Sequence, residues 1–162
     1  MKPRLGRRSQ GSAFRTIAVL VVSLALVFVL VTFARPPSTG NIEPRLSEAT
    51  ATASGVTVDA ARADFGRVPL DTEVRHAFRI TNTGTQHVRL QQATIEVLEG
   101  CCPPTPVVGA ASLAPGETTT VSLAMAMHLG MDGRHHFRLR LPVGAGTAPV
   151  EPLEMHVFGD FR

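Results

Sequence analysis

Eighteen consecutive residues near the N-terminus, IAVLVVSLALVFVLVTFA from Ile17 to Ala34, carry no charge and only two polar side chains, Ser23 and Thr32. As a helix rising about 1.5 Å per residue, the run is roughly 27 Å long, close to the hydrocarbon thickness of a bilayer. Lys2, Arg4, Arg7, Arg8 and Arg15 precede it without an acidic residue, a bias that keeps the N-terminus in the cytoplasm. The expectation is a basic cytoplasmic segment at 1–16, a transmembrane helix at 17–34 and everything from about residue 36 outside. A cleaved export signal is the competing reading. Its apolar stretch is ordinarily shorter, and Pro36 and Pro37 crowd the one plausible cut, after Ala34. Arg7 and Arg8 form a twin-arginine pair, but the residues after them do not continue an export signal. The chain therefore reads as a single-pass protein of the cytoplasmic membrane.

That division changes the meaning of the formal charge of +3. Seven of the sixteen basic residues lie at or before Arg45, while from Gly55 onward nine arginines face eleven Asp and Glu. The basic excess reports topology, and no phosphate-directed patch remains, so no nucleic-acid partner is expected.

Residues 35–54, RPPSTGNIEPRLSEATATAS, are rich in Pro, Ser, Thr and Ala without apolar periodicity and read as a flexible tether. From 55 to 162 the pattern is one of short strands. VTVDA leads through a turn-like DFGRVPLD to VRHAFRITNTG and HVRLQQATIEVL. A loop, EGCCPPTP, then precedes a weak strand from Val107 to Leu113, the turn APGE, and TTTVSLAMAMH, HHFRLRLPV and PLEMHVFGDF. Seven strands with a turn signal every eight to twelve residues predict an all-β, antiparallel β-sandwich.

DFGRVPLDTEVRHAFRITNTGTQHVRL resembles the opening of bacterial immunoglobulin-like domains related to the ASH and major-sperm-protein group. In those domains an F-G-x-V turn precedes a strand ending in N-T-G. LAPGETTTVSLAM is similar to their later P-G-E turn and strand. The resemblance runs from about Val56 to Val143 and implies a seven-stranded immunoglobulin-like fold, but says little about function, since many such domains have no assigned activity. Family members often carry a cysteine-containing loop after the third strand. Cys101 and Cys102 stand there, although their adjacency departs from the usual spacing and no role carries over.

MAMHLGMDGRHHF, from Met125 to Phe137, holds three of the five methionines and three of the six histidines. Counting strand directions from the Asn82–Gly84 turn puts Cys101, Cys102, Met127, His128, Met131, His135 and His136 at one end of the sandwich. Period-two parity puts Val121, Leu123, Met125 and Met127 on the apolar face, with His135, Phe137 and Leu139 pointing inward. Met125 reads as core filling and Met127 as a core-boundary residue. His128 and His136 fall on the solvated face, where they could pair. His76 reads as a core or boundary histidine, and His156 has opposite parity to Met155.

Thiolate, thioether and imidazole together form the ligand set that soft Cu(I) prefers, whereas zinc seldom takes thioether. The metal reading assigns Cys101 and Cys102 as thiolates, with Met127, Met131 and His135 completing the site and His128 and His136 as outer candidates. Adjacent Cα atoms, about 3.8 Å apart, fall short of the usual disulfide range, so an unstrained bridge between the cysteines is not expected. The leading expectation is a membrane-anchored, extracytoplasmic binding domain with a Cu(I) site, copper delivery being one version of it. The alternative is a metal-free structural or protein-interaction module with an unidentified protein partner, and a third is thiol–disulfide exchange by the vicinal pair. No nucleophile elbow or phosphate-binding glycine loop is present, so no enzymatic activity is expected.

Overall fold

The computed structural model describes residues 42–47, 50–147 and 150–162. The expected cytoplasmic segment and transmembrane helix lie outside the described residues. Among the described residues no helix is long and apolar enough to cross a membrane.

The domain is all-β. Its strands are β1 (Arg45–Ser47), β2 (Ala51–Ala53), β3 (Val56–Val58), β4 (Arg62–Val68), β5 (Val74–Asn82), β6 (Val88–Leu90), β7 (Thr94–Glu99), β8 (Val107–Val108), β9 (Ser112–Leu113), β10 (Thr118–Met125), β11 (Gly133–Ala145) and β12 (Glu151–Phe161). One sheet has the order β1-β4-β12-β11-β6-β9, with β7 also paired to β11, and the other runs β2-β3-β5-β10-β8. Apolar residues alternate along the long strands, and Phe78, Ile80, Val121, Leu123, Phe137, Leu139, Met155 and Phe161 meet in a single core. Alternation of this kind buries one face of each strand and leaves the other to solvent.

Several expectations are corrected. Among the described residues there are twelve short and long strands rather than seven, and they are not all antiparallel. β12 lies between β11 and β4 and runs parallel to β4, with His156 opposite Arg62. That pairing joins segments far apart in the chain, so no local pattern announces it. The tether is not structureless throughout. β1 pairs with β4 and β2 with β3, and Ala53 is buried. Such short, small-residue edge strands bury too little apolar surface to show a period. DFGRVPLD begins as strand, with a local bulge where Gly66 has φ +63° and its N–H donates to Asp64 Oδ1 at 3.0 Å, and its expected turn lies at Leu70–Asp71. The weak strand at Val107–Leu113 divides between the sheets, β8 joining β10 and β9 joining β6. His76 is half-buried and meets the Phe78 ring edge-on at 4.5 Å.

Asn82 explains the N-T-G sequence. It is fully buried, donates through Nδ2 to the Gln86 and Leu113 carbonyls at 2.8 and 3.0 Å, and accepts the Gly84 N–H at 3.0 Å. The Gly116 N–H donates to the Asn82 carbonyl at 2.8 Å, which fixes the Pro115–Gly116 turn beside the β5 end. Its side chain thus ties the 83–87 loop to the end of β9, and its carbonyl holds a third turn beside them. Asn82→Ala leaves buried polar groups without partners and should lower the unfolding free energy by on the order of 3 kcal/mol. Urea denaturation measures this, and an unchanged midpoint would contradict the role.

Candidate functional site

β11 starts at Gly133 and pairs with β12 as far as Val143. Its alternation places His135 inside, 2% exposed, and His136 on the outer face. β7 runs antiparallel to β11 and ends at Glu99, opposite His136. The chain leaving β7 therefore crosses directly over the start of β11.

Gly100 makes that crossing possible. Its φ is +87°, and a Cβ placed there would lie 2.5 Å from His135 Cδ2 and 2.9 Å from the Arg134 carbonyl oxygen. Only glycine combines that backbone with so close an approach. The loop closes onto the imidazole and brings Cys101 Sγ to 3.9 Å from His135 Nε2. Cys102, with φ +57°, adopts a left-handed backbone that costs a non-glycine residue about 1–3 kcal/mol. Its thiol donates to Cys101 Sγ at 2.9 Å. Both cysteines are unbridged and exposed. The hydrogen bond shared with Cys102, then desolvation and the like charge of Cys102, favours the protonated form of Cys101 and raises its pKa, so a metal ion would have to displace the thiol proton.

The His135 ring is oriented from its other side. Nδ1 lies 3.1 Å from the Gly133 carbonyl oxygen, which can only accept, so Nδ1 carries the proton. In the neutral ring the Nε2 lone pair then faces Cys101. Phe137 and Phe161 pack against the imidazole with centroids at 5.9 and 5.4 Å. A backbone carbonyl fixing the tautomer of a buried imidazole is the usual support of a metal-ligating histidine.

Metal–sulfur and metal–nitrogen bonds of about 2.3 and 2.0 Å span roughly 3.7 Å at a trigonal angle and about 4.3 Å when collinear. The 3.9 Å between Cys101 and His135 lies within that range. As placed, no group of three or more His, Cys, Asp or Glu among the described residues is arranged to hold a metal ion.

The other sequence candidates stand elsewhere. Met125 and Met127 are both buried in the core, and half-buried Met131 packs against it. His128 and His136 do not pair with each other. His128 Nδ1 contacts Asp71 Oδ1 at 2.6 Å, while the Met131 N–H donates to the His128 carbonyl at 2.8 Å. His136 Nε2 lies 2.9 Å from Nδ1 of His156, a partner visible only once β11 and β12 are known to be neighbours. Desolvation lowers the pKa of both rings; the next contribution is the proximity of His156 for His136, and an opposing pull from Glu154 for His156. Gly100 could have been noticed as the glycine before the cysteine pair. The Gly133 carbonyl, a backbone group, leaves no mark in the sequence.

Residues 56–134, just under half of the chain, match the family described as "Protein of unknown function (DUF1573)". The match begins where the resemblance read from the sequence begins. The fold is similar to the ASH/PapD-like domain 7 of human CEP192, at 13% identity and a TM-score of 0.50, over 74% of this chain and 98% of that one. It is also similar to the periplasmic chaperone SfaE, at 16% identity and a TM-score of 0.50, over 67% and 57% of the two chains. The domain has an immunoglobulin-like fold similar to that of ASH/PapD-like domains. The Vibrio cholerae VesB protease shares the fold at 19% identity and a TM-score of 0.51, over 66% of this chain but only 32% of the protease. At these identities the likenesses concern the fold alone. No curated protein matches the chain significantly.

Gly100→Ala should cost about 2 kcal/mol or more from the left-handed backbone and the clash with His135. It should also shift the His135 ring resonances as the loop lifts. Denaturation and histidine NMR read the two effects, and unaltered stability with unaltered ring shifts would contradict the closed loop.

Proposed function

We propose that the chain is a single-pass membrane protein whose extracytoplasmic immunoglobulin-like domain binds Cu(I) through Cys101, Cys102 and His135. The observation that carries this reading is the facing of Cys101 Sγ and His135 Nε2 across 3.9 Å, with the imidazole oriented by the Gly133 carbonyl. Two soft thiolates and one imidazole suit a low-coordinate Cu(I) ion and offer nothing to oxygen-seeking cations. Exposed thiols at a domain end also suit delivery of the ion to another protein by ligand exchange. Met127 fills the core in this reading, Met131 borders it, and His128 and His136 are engaged by other partners. The membrane anchor is supported by the uncharged run at 17–34 and the basic residues before it. We assign no enzymatic activity.

The second reading, a metal-free protein-interaction module, is favoured by β7. Among the described residues this strand pairs with β11 alone and exposes Val97 and Leu98, and an open edge of that kind accepts an added strand. The likeness to a periplasmic chaperone points the same way.

An anaerobic Cu(I) competition titration of the reduced full chain in detergent separates the readings. One equivalent should bind tightly and be lost in Cys101→Ser/Cys102→Ser. His135→Gln should weaken binding by roughly tenfold or more, the effect seen even for groups that only support a ligand. Binding no stronger than that of the double-serine variant would leave the interaction module as the function.

A further inference from the structure

The outer face of the seven-stranded sheet carries a second cluster of ligating side chains that the cysteine site does not use. His136 is opposite Phe158, and Arg138 opposite His156, in the β11–β12 ladder. The two histidines are therefore diagonal neighbours on one face, close enough for long side chains to meet. Nε2 of His136 and Nδ1 of His156 lie 2.9 Å apart. The His136 ring stacks on Phe158 at 4.0 Å with planes 20° apart, and the Arg62 guanidinium sits 3.6 Å from the Phe158 ring centre. Both imidazoles are half-buried and held by rings rather than left to rotate in solvent.

From this arrangement we infer that His136 and His156 form a second metal site, for a divalent ion of imidazole-preferring type, with Cu(II) the strongest binder. Two metal–nitrogen bonds of about 2.0 Å at a right angle span roughly 2.8 Å. The observed separation thus matches the bite of neighbouring positions on a tetragonal ion. On metal binding the proton of the present N–H···N contact moves to the other nitrogen of its ring through solvent, and both rings turn so that their two lone pairs converge on the ion. No sulfur is part of this set, and imidazole ligation follows the order that places Cu(II) above Ni(II) and Zn(II).

The cleft beside His136, about 240 Å³ in volume, is lined by Arg62, Asp64, Glu99, Arg134 and Asp160. Asp64 is paired with Arg62 and Asp160 with Arg162, and the charges of Arg62 and Arg138 reach both rings, so Glu99 is the carboxylate left to offset positive charge at the site. Glu99, the register partner of His136 on β7, is the carboxylate placed to swing toward the ion, and water fills the remaining positions. This site is independent of the Cu(I) reading. Its imidazole ligands suit the oxidised ion, as the thiolates suit the reduced one.

The test adds one equivalent of Cu(II) to the full chain carrying Cys101→Ser/Cys102→Ser, so that no thiol captures or reduces the metal. Electron paramagnetic resonance should show a tetragonal Cu(II) signal split by two imidazole nitrogens. His136→Gln and His156→Gln should each weaken binding by at least roughly tenfold, while His87→Gln, at an exposed strand edge, should leave it unchanged. Because the glutamines could disturb folding, histidine NMR of the chain with all six histidines intact provides a second reading. Substoichiometric Cu(II) should broaden the His136 and His156 rings first. A signal without nitrogen splitting, binding that survives both glutamine variants, or broadening centred on other histidines would overturn the site. With the thiols absent throughout, failure here leaves the Cu(I) proposal standing, and failure of the Cu(I) titration leaves this one standing.

Discussion

From His135 to Val143, β11 buries every second residue and turns the others outward. Pairing with β12 along eleven positions holds that alternation rigid, and a strand so paired cannot slip by one residue without exchanging its faces. The two adjacent histidines of one dipeptide are thereby committed to different surroundings. His135 sits among Phe137, Phe161 and the glycine-bearing loop, and His136 sits on an aromatic surface facing solvent. Without β11 in this register, neither histidine would meet its present partner.

The chemistry of each face follows from what the neighbouring elements bring. On the inner side β7 ends just as β11 begins, and a glycine with positive φ lets the chain fold over the imidazole and present the Cys101 thiol to it. A backbone carbonyl holds the ring from behind, so the lone pair facing the cysteine is set by main-chain geometry rather than by another mobile side chain. On the outer side β12 supplies a second imidazole and a phenyl ring. Among the described residues the cysteine sulfurs stand beside the inner histidine, whereas the outer face carries two imidazoles.

Much of the fold was legible because its long strands obey the period-two pattern closely. Met125, Phe137 and Leu139 were assigned inward, and all are buried. Strand-direction counting brought Cys101 and His135 to one end, where the structure places them 3.9 Å apart. What escaped depended on contacts between distant segments or on backbone alone. β12 inserts between β4 and β11, so the pairing of His136 with His156 and the parallel ladder to β4 have no local signature. The strands at Arg45–Ser47 and Ala51–Ala53 are too short and too poor in apolar residues to stand out from a tether. Met127, just past the end of β10, keeps that strand's apolar parity and is buried in the core.

The central claim is that one copper ion is held jointly by the thiols of the β7–β8 loop and the imidazole that β11 turns inward. X-ray absorption at the copper edge on the full chain, reduced and loaded with one equivalent of Cu(I), tests it most directly. The account predicts a low-coordinate shell of two sulfurs at roughly 2.3 Å and one imidazole nitrogen at about 2.0 Å, with the outer-ring scattering of a histidine that disappears in His135→Gln. A shell of sulfur alone, or of nitrogen and oxygen without sulfur, would contradict it.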